Sequence, residues 1–241
     1  MENAFVVERD GPIERVTLDR PDRGNMLTLA MVTELTARIE QAGSDPHLKA
    51  IVLSSSGEDF CLGRDPEGAP ERAPRTALEM RNDLTGPILG FYAAVRAAEI
   101  PVIAAVRGRA NGFGCAVAAV CDVTIAAADA LFALPEMKHD LPPTLAMCAH
   151  IDRTMSKSIA WLVYSMRELD AETCRALGFV SHVVPAAEFD ADVGSFLAAL
   201  VERSRDSLVT CKTYLANARL METDKAADYA GNLLSVIMSS R

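Results

Sequence analysis

The chain has 241 residues, half of them hydrophobic, and 24 Lys and Arg against 33 Asp and Glu give it a formal net charge of −9. That length allows one large α/β domain, or a domain with a helical appendage, and the apolar content supports a sizeable core. The acidic balance argues against nucleic acid or an anionic membrane surface as the main partner, because the overall field repels both.

Two short β-like runs open the chain, residues 5–7 and 13–18, joined by a turn at Asp10-Gly11-Pro12. Residues 20–24 read as a loop. Leu29, Val32, Leu35 and Ile39 have helical spacing within residues 27–42, which stop at Gly43. Residues 50–53 read as a buried strand. Residues 54–74 are rich in Gly, Pro and charge, the composition of a functional or mobile loop. Residues 76–98 read as one helix and Pro101 begins the next strand, residues 101–106. Residues 123–126 and 130–134 read as two short strands around a turn. From Thr144 onward the pattern is helical except for a strand at 180–184.

Strands alternate with helices up to about residue 135 and helices dominate afterwards, which describes an α/β core with a helical C-terminal region. We divide it as residues 1–186 and 187–241, with a soft boundary at Ala186-Ala187. The most apolar stretch, residues 115–134, is interrupted by Asp122 and Asp129 and does not read as a membrane span. The opening Met-Glu-Asn-Ala has no signal-peptide core. The six cysteines (Cys61, Cys115, Cys121, Cys148, Cys174 and Cys211) form no C-x-x-C pair and no metal-like spacing. They read as reduced core thiols of a cytoplasmic protein, and no metal site is expected.

Gly112-Phe113-Gly114-Cys115-Ala116 is the most informative stretch. It lies between one apolar run ending at Val106 and another ending at Val120. A glycine-flanked turn that leads into a helix aims backbone N–H groups and the positive end of the helix dipole at one point. An oxygen that gains negative charge in a reaction is stabilised there. Glu136, flanked by Leu134-Pro135 and Met137, is expected to be partly desolvated, which strengthens it as a base.

These features fall into an ordered set of motifs. They are Leu18-Asp19-Arg20-Pro21 with Asn25-Met26-Leu27, then Phe60-Cys61-Leu62-Gly63-Arg64-Asp65, then Pro101 to Val106 with Gly108 to Gly114. Cys121-Asp122, Phe132-Ala133-Leu134-Pro135-Glu136 and Ala176 to Pro185 follow. The set resembles the crotonase superfamily, the enoyl-CoA hydratase/isomerase family, over essentially the whole chain. The resemblance implies a spiral of ββα units with a helical C-terminal trimerisation region, assembled as a homotrimer or a pair of trimers. It implies an acyl-CoA thioester as substrate. Coenzyme A is then part of the substrate and no separate cofactor is expected.

By motif position, the resemblance assigns the two oxyanion donors to the N–H groups of Arg64 and Phe113, and the catalytic acid or base to Glu136. Arg23, Met26, Leu62, Asp65 and Gly112 fall on loops that border the substrate. The Arg64 side chain can reach a CoA phosphate or an acidic acyl group, or remain a solvated charge. Asp65 can equally cap its own turn. His139 and Asp140 stand where the family more often has an apolar residue and glycine, and are candidates for a second acid or base. Met80, Leu84, Ile88 and Tyr92 have helical spacing and read as core or as the wall of an acyl pocket. His47, His150 and His182 read as structural or exposed.

Ala116 occupies the place of the second glutamate of true hydratases, so the two-carboxylate arrangement is absent. The expected activity is therefore conversion of a 3-enoyl-CoA to a 2-enoyl-CoA with one glutamate base. Hydration, C–C hydrolysis and decarboxylation are the alternatives in the same class. A non-catalytic acyl-CoA-binding or assembly protein is the alternative of another class. The chain ends at Ser239-Ser240-Arg241, short of the family's usual last segment, which implies a pocket left open or closed by a neighbouring subunit.

Overall fold

The computed structural model describes residues 5–67 and 76–239; the last part of the loop expected at 54–74 lies outside them. In chain order the strands are β1 (Phe5–Asp10), β2 (Ile13–Leu18), β3 (Ala50–Ser55), β4 (Val102–Val106), β5 (Arg109–Asn111), β6 (Val123–Ala127), β7 (Leu131–Ala133), β8 (Leu169–Asp170) and β9 (His182–Val184). The α-helices are α1 (Leu29–Ser44), α2 (Ala77–Met80), α3 (Gly86–Ala97), α4 (Phe113–Val120), α5 (Thr144–His150), α6 (Ser156–Ser165), α7 (Ala171–Leu177), α8 (Phe189–Val201), α9 (Arg205–Ala218) and α10 (Thr223–Ser239).

Six strands form one sheet in the order β1-β2-β3-β4-β6-β9, with β1 antiparallel to β2 and every other pair parallel. Residues 50–53 and 101–106 are continuous apolar runs because both faces of this sheet are covered. Alternate residues go to opposite sides. Ile51, Leu53, Val102, Ala104 and Val106 join the larger core with α1, α3 and α4. Ala50, Val52, Ile103, Ala105, Ile125 and Ala127 join a second core with Phe189, Val193 and Leu197 of α8. Residues just past the soft boundary at 187 are therefore part of the sheet's own packing.

Three local expectations are revised. Residues 123–126 and 130–134 are not a hairpin: β6 sits in the large sheet, while β7 pairs with β5 and β8 in a separate three-stranded sheet. The strands β5 and β8 are too short to show a period in the sequence. The helix expected at 76–98 is interrupted by a π-helical stretch at Arg81–Thr85, between α2 and α3. Pro87 explains the interruption. It lacks the N–H that would continue the α-helical ladder, and its ring crowds the carbonyl one turn earlier. The wider turn closes instead with Gly86 N–H donating to the Arg81 carbonyl.

The helix α9 is fixed to the core by a buried lysine. Lys212 Nζ donates to the carbonyls of Val95 and Ile100 at 3.0 Å each and pairs with Asp122 Oδ2 at 2.7 Å. By contrast α10 has no buried residue, and Leu234, Val236 and Met238 on it are exposed. Among the described residues no helix is long and apolar enough to cross a membrane.

Candidate active site

The site forms where residues 60–65 pass between β5 and the loop at Gly24 to Leu27. Cys61 N–H donates to the Arg109 carbonyl at 3.1 Å, and Asn111 N–H to the Cys61 carbonyl at 2.9 Å. On the other side, Leu27 N–H donates to the Gly63 carbonyl at 3.2 Å and Asp65 N–H to the Leu27 carbonyl at 2.8 Å. In a parallel bridge of this kind the residue between the two bonded ones turns its own N–H away. The Arg64 N–H therefore faces away from Leu27.

Gly112 precedes α4 with φ +52° and ψ −114°, a conformation that L side chains avoid. Phe113 is the first helical residue, so its N–H has no acceptor within the helix. It is not among the positive-φ residues, which is why a side chain is tolerated there. Its ring packs on Phe91 and Tyr92 with centroids 5.8 Å and 6.2 Å apart. The bulk of Phe113 thus fills core while its N–H stays at the helix start. A methyl on Gly114 would lie 2.0 Å from the Cys61 carbonyl oxygen, so only glycine lets the loop and the helix meet this closely.

A cavity of about 420 Å³ opens at this junction. Gly63, Arg64, Gly112 and Phe113 line one wall, Leu84, Ile88 and Tyr92 a second, and Pro135, Glu136, His139 and residues 141–143 a third. Glu136 is its carboxylate. A methyl on Gly112 would sit 3.0 Å from Glu136 Oε1, and Oε2 is sealed from solvent without a hydrogen-bond partner. Burial raises the Glu136 pKa above its ordinary 4.5, and the residue's own backbone N–H only partly offsets this. The 3₁₀ turn Pro135–His139 holds Glu136 in place, with the N–H groups of Asp140 and Leu141 donating to its carbonyl.

The remaining expected site residues divide by place. Leu62 and His139 line the cavity, His139 at its exposed rim. Arg23, Met26, Asp65 and Asp140 are not on the described wall. Asp65 is 3% exposed and pairs with Arg20 at 3.1 Å and with Arg23 at 3.4 Å. Burial works against its ionisation, but the Glu67 N–H and the two arginines outweigh it and hold Asp65 below its ordinary 3.8. Arg23 also pairs with Glu67. The Met26 carbonyl accepts from Arg20 at 2.6 Å. Together these contacts tie the loop around residue 25 to the Arg64 segment. Asp140 has φ +54°, the left-handed conformation that glycine adopts most readily. Of the helical set, Leu84, Ile88 and Tyr92 reach the cavity and Met80 does not. The Leu141-Pro142-Pro143 wall escaped the sequence reading; its signal was a proline pair just past the Pro-Glu motif.

The Ala116 methyl is fully buried and is not part of the described cavity wall. His150 is buried too, and burial lowers its pKa to about 4, leaving a neutral ring beside Cys115 and Thr154. Among the described residues, no group of three His, Cys, Asp or Glu is placed to hold a metal ion.

The doubly covered sheet thus brings the Arg64 and Phe113 segments and one partly desolvated carboxylate to the same cavity. The chain belongs to the enoyl-CoA hydratase/isomerase family, whose model matches residues 8–239. It is 33% identical over 183 residues to a probable enoyl-CoA hydratase of Mycobacterium tuberculosis, covering 76% of this chain and 69% of that one. It is 32% identical over 183 residues to the 2,3-dehydroadipyl-CoA hydratase of Escherichia coli, with the same coverage. In structure it is similar to an enoyl-CoA hydratase of Mycobacterium smegmatis, with a TM-score of 0.90 and 25% identity over 98% of this chain and 91% of that one. A structure from Thermobifida fusca in complex with CoA gives a TM-score of 0.88 and 26% identity, covering 99% and 94%. The crotonase fold expected from the motifs is the fold observed.

Two outcomes follow from this geometry. Gly112→Ala forces φ +52° on a residue with a side chain and pushes the methyl against Glu136. Displacing a reacting group by about 1 Å costs about a hundredfold in rate, so turnover falls steeply while thioester affinity is largely kept. Stability responds to Glu136 in the opposite sense. Its raised pKa means that the folded protein binds this proton more tightly, so wild type loses stability as pH rises from 4.5 through the folded pKa. Glu136→Gln therefore melts above wild type at pH 7, and the difference disappears below pH 4.5, as thermal melts across that range will read.

Proposed function

We propose that the protein acts on acyl-CoA thioesters through an enolate, shifting the double bond of a 3-enoyl-CoA to the 2-position with Glu136 as the sole carboxylate base. The observation that carries this reading is Glu136 itself, a half-buried carboxylate in the cavity wall beside Gly112 whose Oε2 is sealed from solvent without a hydrogen-bond partner. Glu136 takes the α-proton, and the C–H electron pair moves into a dienolate. The N–H groups of Arg64 and Phe113 hold the thioester oxygen, each such donor contributing on the order of 3 kcal/mol. Protonated Glu136 then returns the proton at the γ-carbon. The Arg64 guanidinium has no ion-pair partner among the described residues. It is the cation for a CoA phosphate or for an acidic acyl group.

Hydration of a 2-enoyl-CoA is the second reading, favoured by the hydratase names of the relatives. One experiment addresses both. Butyryl-, 3-hexenoyl- and 2-hexenoyl-CoA are incubated in deuterated water and followed by mass spectrometry. Glu136→Gln is expected to lower α-deuteration at least about a hundredfold while affinity stays within about tenfold, because the amide keeps the shape and cannot accept the proton. Unchanged exchange overturns Glu136 as the base. Addition of water to the 2-enoyl thioester by wild type, without movement of the 3-double bond, selects hydration.

We also propose assembly as a trimer or a pair of trimers. The exposed Leu215, Leu220, Leu234, Val236 and Met238 of the C-terminal helices and their connection support this reading. Light scattering at micromolar concentration should give three or six chains, and a monomer refutes the reading.

A further inference from the structure

The cavity contains a second buried polar group that the reaction above does not use. Tyr92, on α3, lines the cavity opposite the backbone donors and is 1% exposed. Its ring is held on two sides, with centroids 6.1 Å from Phe91 and 6.2 Å from Phe113. Fixed in this way, the ring leaves its hydroxyl little freedom. Among the described residues the hydroxyl makes no hydrogen bond, yet it is not one of the side-chain atoms sealed from solvent without a partner. Its residual access is therefore to the cavity. A phenol in this position calls for an oxygen from outside the protein, because an unmet buried donor is costly.

We propose that the Tyr92 hydroxyl is a positioning residue that hydrogen-bonds an oxygen at the acyl β-carbon, across the thioester from Glu136. The oxygen is that of a 3-hydroxyacyl group or of the water that would form it. This rests on the hydration branch of the acyl-CoA reading above, since a 3-enoyl thioester carries no β-oxygen, and says which acyl groups the site then takes. With alanine at 116, no second carboxylate reaches the described wall, and Tyr92 provides the neutral polar contact in its stead. The phenol keeps its proton. Burial foremost, with the charge of Glu136 among the lesser causes, holds it well above the ordinary 10. It is thus a hydrogen-bond partner and not a proton source, and Glu136 remains the only group that exchanges a proton with substrate. The alternatives within the cavity are less suited: His139 is exposed at the rim, and Glu136 as a carboxylate only accepts.

The test is calorimetry with three probes, butyryl-CoA and the two enantiomers of 3-hydroxybutyryl-CoA, on wild type and Tyr92→Phe. Wild type is expected to bind one 3-hydroxy enantiomer about five- to tenfold more tightly than butyryl-CoA, the size of one net neutral hydrogen bond. Tyr92→Phe should abolish that preference while binding butyryl-CoA within about twofold of wild type, since ring packing is retained. Equal weakening of both ligands assigns Tyr92 to packing alone and overturns the proposal. So does a wild type without preference, a result independent of how the variant folds. Failure of wild type to bind butyryl-CoA at all marks the different failure, that of the acyl-CoA reading, and the Tyr92 proposal falls with it.

Discussion

The site depends on the contact between the Cys61 carbonyl and Gly114. There is no room for a single methyl group between them, so the Cys61 segment lies directly on the first turn of α4. That contact brings two backbone N–H groups from distant parts of the chain to one cavity. Neither belongs to a side chain, so neither can swing away, the preorganisation that the proposed oxyanion role requires. The buried Arg20–Asp65 pair and the bonds from Asn25 Nδ2 to the Ser56 and Asp59 carbonyls hold the other edge of the same segment.

Within that frame, two opposing electrostatic choices define the chemistry. Asp65 is almost fully buried, yet two arginines and a backbone N–H keep it ionised, so it serves as a structural anion. Glu136 has only its own N–H as compensation and is pushed the other way, towards holding a proton. A carboxylate with a raised pKa can accept and return a proton near neutral pH. The same carboxyl group thus takes two states, and the number of donors around it decides which.

The sheet between the two cores explains why the polar parts collect at one end. Both faces of β3, β4 and β6 are apolar, so charged and exposed groups are left to the strand ends and connections. The helix α8 closes the second face, and Lys212 fastens α9 to the end of α3. The helix α10 stacks Tyr229 on Tyr214 of α9 but buries no residue, and Leu234, Val236 and Met238 remain exposed.

Much of this was legible in the sequence. The apolar runs at 50–53 and 101–106, the helical spacing of Val32, Leu35 and Ile39, and the Gly-Phe-Gly turn all report local backbone preference or burial, which neighbouring residues determine. The ordered motifs were enough to identify the crotonase fold, and Glu136, Arg64 and Phe113, which they single out, line one cavity. Other features were settled only by tertiary contact. The pairing of β7 with β5 and β8 and the engagement of Arg23 and Asp65 in an ion-pair cluster depend on partners far away in sequence. Tyr92 shows the limit most plainly. Its spacing suits a core residue and a pocket residue equally, because one helix face meets both. Only the packing of Phe91 and Phe113 around its ring, together with its place in the cavity wall, shows that it is both.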